Sequence, residues 1–248
     1  MGKRSGMGSK FYVGGYDISN DVNSLSRINS SRSVIEDTGI DVEAFERLHT
    51  HRDGGIEFAT TLNKATGREF DVLKTVPSVD RHLMYVTRQA LGAPAAACVC
   101  KQLSYDGNRG TDGSMTWSVA AESNGYGLEW GELLTAGKRT DTAATNGTGV
   151  DFAASTAFGL QAYLQLFSFT GTSVTVKLQE SSDNGVGDAW ADVTGGGFTV
   201  VTVAPAVQRI QTARTQTVER YLRVVTTGTF SDASFAVSVV KNQGLTNF

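Results

Sequence analysis

The chain has little of several features that mark common classes of protein. It has 3 prolines and 2 cysteines in 248 residues, which argues against a proline-rich linker protein or a disulfide-stapled secreted domain. No apolar run approaches the ~20 residues that cross a bilayer, and no apolar signal region follows Met1. We therefore expect synthesis in a cytoplasm and no membrane partner.

Strong charge of either sign is also missing. The chain carries 22 Lys and Arg against 25 Asp and Glu, for a net charge of −3. Proteins that hold nucleic acid directly need clustered basic side chains, which displace counterions from the phosphates. Direct binding of DNA or RNA is therefore not predicted.

The two cysteines, Cys98 and Cys100, lie two residues apart in an apolar stretch. On a strand this spacing puts both side chains on one face, and near neighbours rarely have disulfide geometry. The pattern predicts two buried free thiols.

Glycine, serine and threonine are frequent, whereas long helix-forming runs are absent. This composition favours short strands joined by tight turns, and so a mainly β chain. Four regions are predicted: a flexible N-terminal arm (1–10), a first β domain (11–136), a polar linker (137–149) and a second β-sandwich (150–248).

Within these regions the sequence predicts one clear helix, over residues 66–76, with Thr66 and Glu69 as a capping box. Residues 41–48 are predicted to form a helical turn, and residues 56–62 a strand. In the second domain, residues 160–169 and 174–180 read as a hairpin around Thr-Gly-Thr-Ser. Residues 221–225 and 234–240 read as two further strands.

No arrangement typical of an enzyme is found, and neither a cofactor nor a metal is predicted. His49 and His51 are close in sequence but lack the further ligands that zinc needs. Residues 181–192 are rich in Asp and could offer oxygens to calcium, although they lack EF-hand spacing; a structural loop is the simpler reading. Trp190 could contact a glycan at the surface.

Residues 37–58 carry a resemblance to a known family. Asp37-Thr38-Gly39-Ile40, then Phe45-Glu46-Arg47, and then residues 51–58 (HRDGGIEF) lead into a strand that is followed by a helix and another strand. This order resembles tail tube (major tail) proteins of long-tailed bacteriophages, over about residues 11–136.

The resemblance implies a tail-tube-like β-sandwich or barrel with one flanking helix. An outward-facing domain, Ig-like or jelly-roll-like, would follow it. It also implies hexameric rings that stack into the conduit for viral DNA ejection, with the chain itself, a tape measure protein and tail terminator or tip proteins as partners. DNA would pass without specific binding, and the protein would reside in the virion tail after synthesis in the host cytoplasm.

The segment that carries the resemblance is also our candidate for an assembly loop that folds onto a neighbouring subunit. Six of its residues are the expected inter-subunit contacts: Asp41, Phe45, Arg47, His49, His51 and Arg52. Alternative functions are a capsid decoration protein, a minor tail protein, or a carbohydrate-binding module that uses Trp190 in the second domain.

Overall fold

The computed structural model describes residues 5–244 and is 56% strand and 2% helix. The mainly β fold class is therefore confirmed. The described chain contains no helix of the length and apolar character that a bilayer span requires. The predicted flexible arm lies partly outside the described residues, and at its other end Lys10 already pairs with Val86 as the first residue of a strand.

The described part of the chain, residues 5–244, forms sixteen strands and one short helix. They are β1 (Lys10–Val13), β2 (Tyr16–Asp17), β3 (Val22–Glu36), β4 (Arg47–Thr61), α1 (Glu69–Leu73), β5 (Arg81–Val86), β6 (Pro94–Gln102), β7 (Asp106–Arg109), β8 (Met115–Ser123), β9 (Glu129–Leu133), β10 (Arg139–Asp141), β11 (Thr145–Asn146), β12 (Val150–Asp151), β13 (Leu160–Ser181), β14 (Ala191–Gly197), β15 (Ala206–Gln211) and β16 (Tyr221–Lys241).

All pairings are antiparallel, and one continuous path of hydrogen-bonded strands crosses the molecule. Its order is β14-β13-β16-β9-β6-β5-β1-β2, and β8, β4 and β3 branch from β6. The link between the N-terminal and C-terminal halves is the β9–β16 pair, which joins Leu133 to Ser238.

Strand β6 lies at the centre and is buried on both faces. Ala96, Cys98 and Cys100 face one hydrophobic core, whereas Ala97 and Val99 face another. Both cysteines are free and buried, as predicted. A hydrogen bond with Cys100, together with burial, raises the pKa of the Cys98 thiol well above its usual value, so this thiol stays protonated and unreactive.

The predicted hairpin at residues 160–180 is wrong. Residues 160–181 form one long strand, β13, which pairs with β16 along its length. The two strands predicted at residues 221–225 and 234–240 are likewise parts of one strand, β16. Glycines within these two strands have unusual backbone conformations. Gly171 and Gly228 have φ of 155° and 125°, and the register shifts at Gly171. The strands bend there without reversing direction, and the largest core cluster packs on them.

The linker predicted at residues 137–149 also differs from the structure. Two short strands lie within it, and both pair with β16, with Arg139 opposite Phe235 and Thr145 opposite Thr226. Arg139 binds the carboxylate of Asp141 at 2.7 Å, so a polar sequence without hydrophobic periodicity is held by backbone pairing and an ion pair.

The flanking helix is present but shorter than predicted, and the capping box is not formed. Glu69 is the first residue of α1, and the side chain of the N-cap residue, Arg68, makes no capping hydrogen bond. The Glu69 amide donates instead to the carboxylate of Asp21, at 3.3 Å. The Glu69 carboxylate is buried and accepts hydrogen bonds from Thr60 Oγ1 and the Tyr105 hydroxyl. Glu69 therefore anchors α1 to the sheet.

Candidate assembly interface

The most prominent feature outside the cores is a long β-hairpin, which we call the arm. It consists of β3, β4 and the loop of residues 37–46 between them. The inner part of β4, residues 55–61, pairs with β8, whereas Glu36 and Arg47 pair with each other at the far end. The predicted helical turn at residues 41–48 is wrong, because residues 41–46 are loop and β4 begins at Arg47.

The far end of the arm, residues 34–48, is here called the arm tip. It exposes six large hydrophobic side chains, each with 40% or more of its surface accessible. They are Val34, Ile35, Ile40, Val42, Phe45 and Leu48. Single exposed apolar residues are ordinary, but a group of six on one segment is typical of an interaction site.

The arm tip is also acidic. Five carboxylates, those of Glu36, Asp37, Asp41, Glu43 and Glu46, accompany a single arginine, Arg47. The loop is closed by local bonds, from the Asp37 amide to the Glu46 carbonyl at 3.0 Å and from the Glu46 amide to Thr38 Oγ1 at 3.1 Å. An ordered, acidic and apolar surface is thus presented to solvent.

The six predicted assembly residues all lie on the arm. Asp41 and Phe45 are in the loop, with the Arg47 guanidinium 5.3 Å from the Phe45 ring centroid. His49 and His51 lie on β4 and are exposed. Arg52 differs from the others, because it faces the body of the protein and binds Glu129 at 3.2 Å.

Two glycines hold the root of the arm against the body. A Cβ on Gly54 would come within 2.6 Å of the Leu128 Cβ, so a side chain at position 54 would displace the segment before β9. Ser30 on β3 donates a hydrogen bond to the Leu128 carbonyl at 2.9 Å. The absence of a side chain at Gly54 therefore sets how closely the arm root and this segment approach. Gly55 has the same effect on the approach to β8, because a Cβ there would lie 2.8 Å from the Ala121 carbonyl oxygen.

A buried charge cluster centred on Glu129 connects the arm root to the C-terminal half of the chain. The side chain of Glu129 is 1% exposed and that of Arg209, on β15, is 7% exposed; their nearest N and O atoms are 3.0 Å apart. The Tyr163 hydroxyl donates to Glu129, and the Arg209 Nε donates to that hydroxyl at 3.0 Å. Glu129 thus joins the arm root, through Arg52, to β13 and β15.

The pKa shifts in the cluster follow from burial and charge. Burial, with the Glu129 carboxylate adding, raises the pKa of Tyr163, so the hydroxyl remains a donor. For Arg209, burial lowers the pKa, but the favourable effects of Tyr163 and Glu129 outweigh it and the net pKa is raised. Arg209 therefore stays charged at every pH at which the protein is folded.

Beside this cluster lies an open cavity of about 490 Å³, which we call the arginine groove. Its lining includes His51, Arg52, Tyr126, Arg209, Gln211 and Arg214. The Arg209 guanidinium lies 3.7 Å from the centroid of the Tyr126 ring, and Tyr126 is 46% exposed. Two of the lining arginines, Arg52 and Arg209, are bound to Glu129, so the groove joins a buried ionic contact to an exposed aromatic ring.

Trp190 lies apart from the arm, in the C-terminal half. The Arg223 guanidinium is 4.5 Å from its ring centroid, and a Cβ on Gly185 would lie 2.5 Å from its Nε1. In the same loop Asp183 accepts backbone hydrogen bonds from Val186 and Gly187. In residues 5–244, no three His, Cys, Asp or Glu side chains are grouped so that they could hold a metal.

Several residues of the candidate interface were not singled out from the sequence. Val34 and Ile35 are two of them, because only the fold places them beside the loop of residues 37–46. The available signal was the density of apolar residues within an acidic run, at Ile40, Val42 and Phe45. Arg209 and Tyr126 are far apart in sequence, so their meeting could not be predicted without the fold.

No protein-family model matches the chain, and no curated protein matches it. Among solved structures, a chain of the virion of a native gene transfer agent particle is similar over 52% of this chain and 98% of that one, with 13% identity and a TM-score of 0.41. The Dit protein of SPP1 is similar over 94% of this chain and 99% of its own, with 12% identity and a TM-score of 0.32. A chain of the phage p2 baseplate in its activated conformation covers 96% of this chain and 99% of its own, with 11% identity and a TM-score of 0.33.

Proposed function

We propose that this protein is a structural virion protein, the major tail tube subunit of a long-tailed bacteriophage. The observation that carries this proposal is the arm, whose tip presents six exposed hydrophobic side chains. Such a surface is unfavourable in a free monomer, and covering it with another subunit removes apolar area from water at about 25 cal/mol per Å². The resemblance at residues 37–58 lies on this same arm.

In this proposal the copies of the chain form hexameric rings that stack into a tube. Residues 11–136 build the tube wall and residues 150–248 face outward. Acidic residues outnumber basic ones in the N-terminal half, which suits a wall along which DNA must slide without being held. A tape measure protein and tail terminator or tip proteins would be further partners, and the tail would form in the cytoplasm of the host.

Assembly of the purified protein tests the proposal, with sedimentation velocity and negative-stain electron microscopy as the two measurements. The wild type is expected to form rings or tubes with a central channel. The double variant Ile40→Ser, Phe45→Ser should remain monomeric, because it removes apolar contact without disturbing a core. Circular dichroism should be unchanged, since both side chains are exposed.

The matched control is Val79→Ser with Leu103→Ser, two exposed hydrophobic residues outside the arm. This variant should assemble like the wild type. Assembly of the arm variant at wild-type concentrations would show that the arm is not the interface. Single rings that never stack would favour a minor tail protein, and attachment to capsids without self-assembly would favour a decoration protein.

A further inference from the structure

Three Asn-Gly pairs occur in the chain, at residues 124–125, 146–147 and 184–185. In such a pair the glycine amide can attack the asparagine side chain before it, because glycine has no side chain to hinder the approach. The glycine nitrogen bonds to the asparagine Cγ, the Cγ–Nδ2 bond breaks, and ammonia leaves. Water then opens the succinimide ring that has formed, and the product is aspartate or isoaspartate.

The fold protects two of the three pairs. Asn146 is held in β11, and the Gly147 amide donates a hydrogen bond to the Val224 carbonyl at 2.8 Å. The Gly185 amide donates to the Ser181 hydroxyl, also at 2.8 Å. A glycine amide that is held in a hydrogen bond can attack only after that bond has broken, so the reaction is slowed at both pairs.

The pair formed by Asn124 and Gly125 lacks this protection. Both residues are exposed, in the bend between β8 and β9. Within residues 5–244 the Gly125 amide has no hydrogen-bond partner, and a Cβ on Gly125 would meet nothing within 4 Å. The Asn124 side chain donates to the Asp80 carboxylate at 2.9 Å, but this bond is exposed and breaks readily, because water can replace it.

We propose that Asn124 is a site of spontaneous modification, at which the folded chain converts its own asparagine to aspartate and isoaspartate. A carboxylate then replaces the amide that donates to Asp80, so that two like charges face each other. Isoaspartate also adds a backbone atom to the segment that reaches the arm root at Gly127, where a Cβ would lie 3.2 Å from the Asp53 carbonyl oxygen. The modification thereby loosens the packing of the arm root.

Peptide mapping by mass spectrometry follows the conversion at all three pairs in one sample of the purified full chain, held in mildly alkaline buffer. Incubation in heavy-oxygen water marks the product, because the water that opens the ring leaves its oxygen in the new carboxylate. Asn124 should convert about tenfold or more faster than Asn146 and Asn184. The same chain unfolded in urea is the control, and there the three rates should be similar.

Two variants test the cause of the difference. Ser181→Ala removes the acceptor of the Gly185 amide, and it should accelerate the conversion of Asn184 by about tenfold without changing the rate at Asn124. Its unfolding midpoint shows whether the chain is still folded. Asn124→Gln should show no conversion at that position over the same period, because glutamine would have to close a larger ring.

Hydrogen exchange tests the effect on the arm. Wild-type chains aged until Asn124 is mostly converted are compared with fresh chains and with equally aged Asn124→Gln chains. The amides of residues 52–56 should exchange about tenfold faster in the aged wild type alone, because the segment that covers them has been displaced.

The outcomes are distinct. Conversion of Asn146 or Asn184 as fast as that of Asn124 in the folded chain would overturn the proposal, as would a folded chain that keeps Asn124 intact while the unfolded chain converts it. Conversion with unchanged exchange at the arm root would uphold the modification site and overturn its effect on the arm. None of these measurements depends on self-assembly, so the proposed tail function is tested separately.

Discussion

Glu129 connects three parts of the molecule through one carboxylate. It binds Arg52 at the root of the arm and Arg209 on β15, and it accepts a hydrogen bond from Tyr163 on β13. Because the site is nearly inaccessible to water, each charge is stabilised mainly by its partners. The direction in which the arm leaves the body is therefore set by a buried ionic contact as well as by strand pairing.

Replacement of this carboxylate by an amide should be costly. Glu129→Gln keeps the size of the side chain but leaves Arg209 charged and buried without a counter-ion, so we expect a loss of about 3 kcal/mol in the free energy of unfolding. Urea denaturation at neutral pH measures the loss. Glu43→Gln, in the exposed arm tip, should change stability by less than about 0.5 kcal/mol; equal effects of the two variants would contradict the role given to Glu129.

At the scale of elements, the long strands β13 and β16 depend on glycine where they bend. Gly228 has a φ of 125°, and a Cβ there would lie 2.3 Å from the Ser173 carbonyl oxygen of the paired strand. Both the backbone conformation and the space exclude a side chain. The close approach of β13 and β16 at this point thus requires glycine at position 228.

Gly228→Ala is therefore expected to destabilise the fold by roughly 2 kcal/mol or more, from backbone strain and displacement of β13. Gly197→Ala is the matched control, because Gly197 is also a strand glycine but has nothing within 4 Å of an added Cβ. Thermal unfolding of both variants checks the difference. A midpoint for Gly228→Ala equal to that of the control would show that the bend tolerates a side chain.

These same elements show what the sequence could and could not predict. The alternation in residues 56–62 and the apolar run around Cys98 identified strands, because burial of one or both faces leaves a pattern in the residues themselves. Gly171 was misread as part of a turn, since glycine marks both a reversal and an irregularity within a continuous strand. The two cases are distinguished by whether the strand stays paired with its neighbour on both sides of the glycine. That pairing depends on the fold and leaves no local pattern in the sequence.

The candidate interface was predictable to a similar extent. The segment that contains Phe45 and Arg47 was identified by its resemblance, and all six predicted residues lie on the arm. The arginine groove was not identified from the sequence, because Arg52, Tyr126 and Arg209 come from three distant parts of the chain. Sequence neighbours can be recognised by pattern, whereas side chains brought together by different strands cannot.

At the scale of the whole molecule, the two halves are tightly joined. Tyr12 and Met84 from the N-terminal half share a core cluster with Tyr163 and Ala236 from the C-terminal half. The Gly15 amide donates to the Gln165 side chain at 2.7 Å. Buried apolar contact combined with continuous strand pairing makes independent unfolding of either half unfavourable.

Calorimetry should consequently show one cooperative transition for the unassembled chain, with equal calorimetric and van't Hoff enthalpies. A destabilising substitution in either half should move the entire transition. Leu83→Ala in the N-terminal half, expected to cost about 2–5 kcal/mol, serves for one half and Gly228→Ala for the other. Two resolved transitions, of which each variant moves only one, would mean that the halves fold independently.

Strand β6 has a consequence for how the correct fold is selected. When a strand shifts by one residue against its neighbour, its hydrophobic side chains normally move from the core to the solvent side. The free-energy cost of that exposure normally fixes the pairing register. In β6 both faces are apolar and built from small side chains, so a slipped strand would bury nearly the same groups. The alignment of β6 is instead set by the polar residues at its C-terminal end. Lys101 binds the Asp80 carboxylate at 2.7 Å, and the side-chain amide of Gln102 donates a hydrogen bond to the Leu73 carbonyl at 2.8 Å. The alignment of the central strand is thus fixed by polar contacts at its C-terminal end.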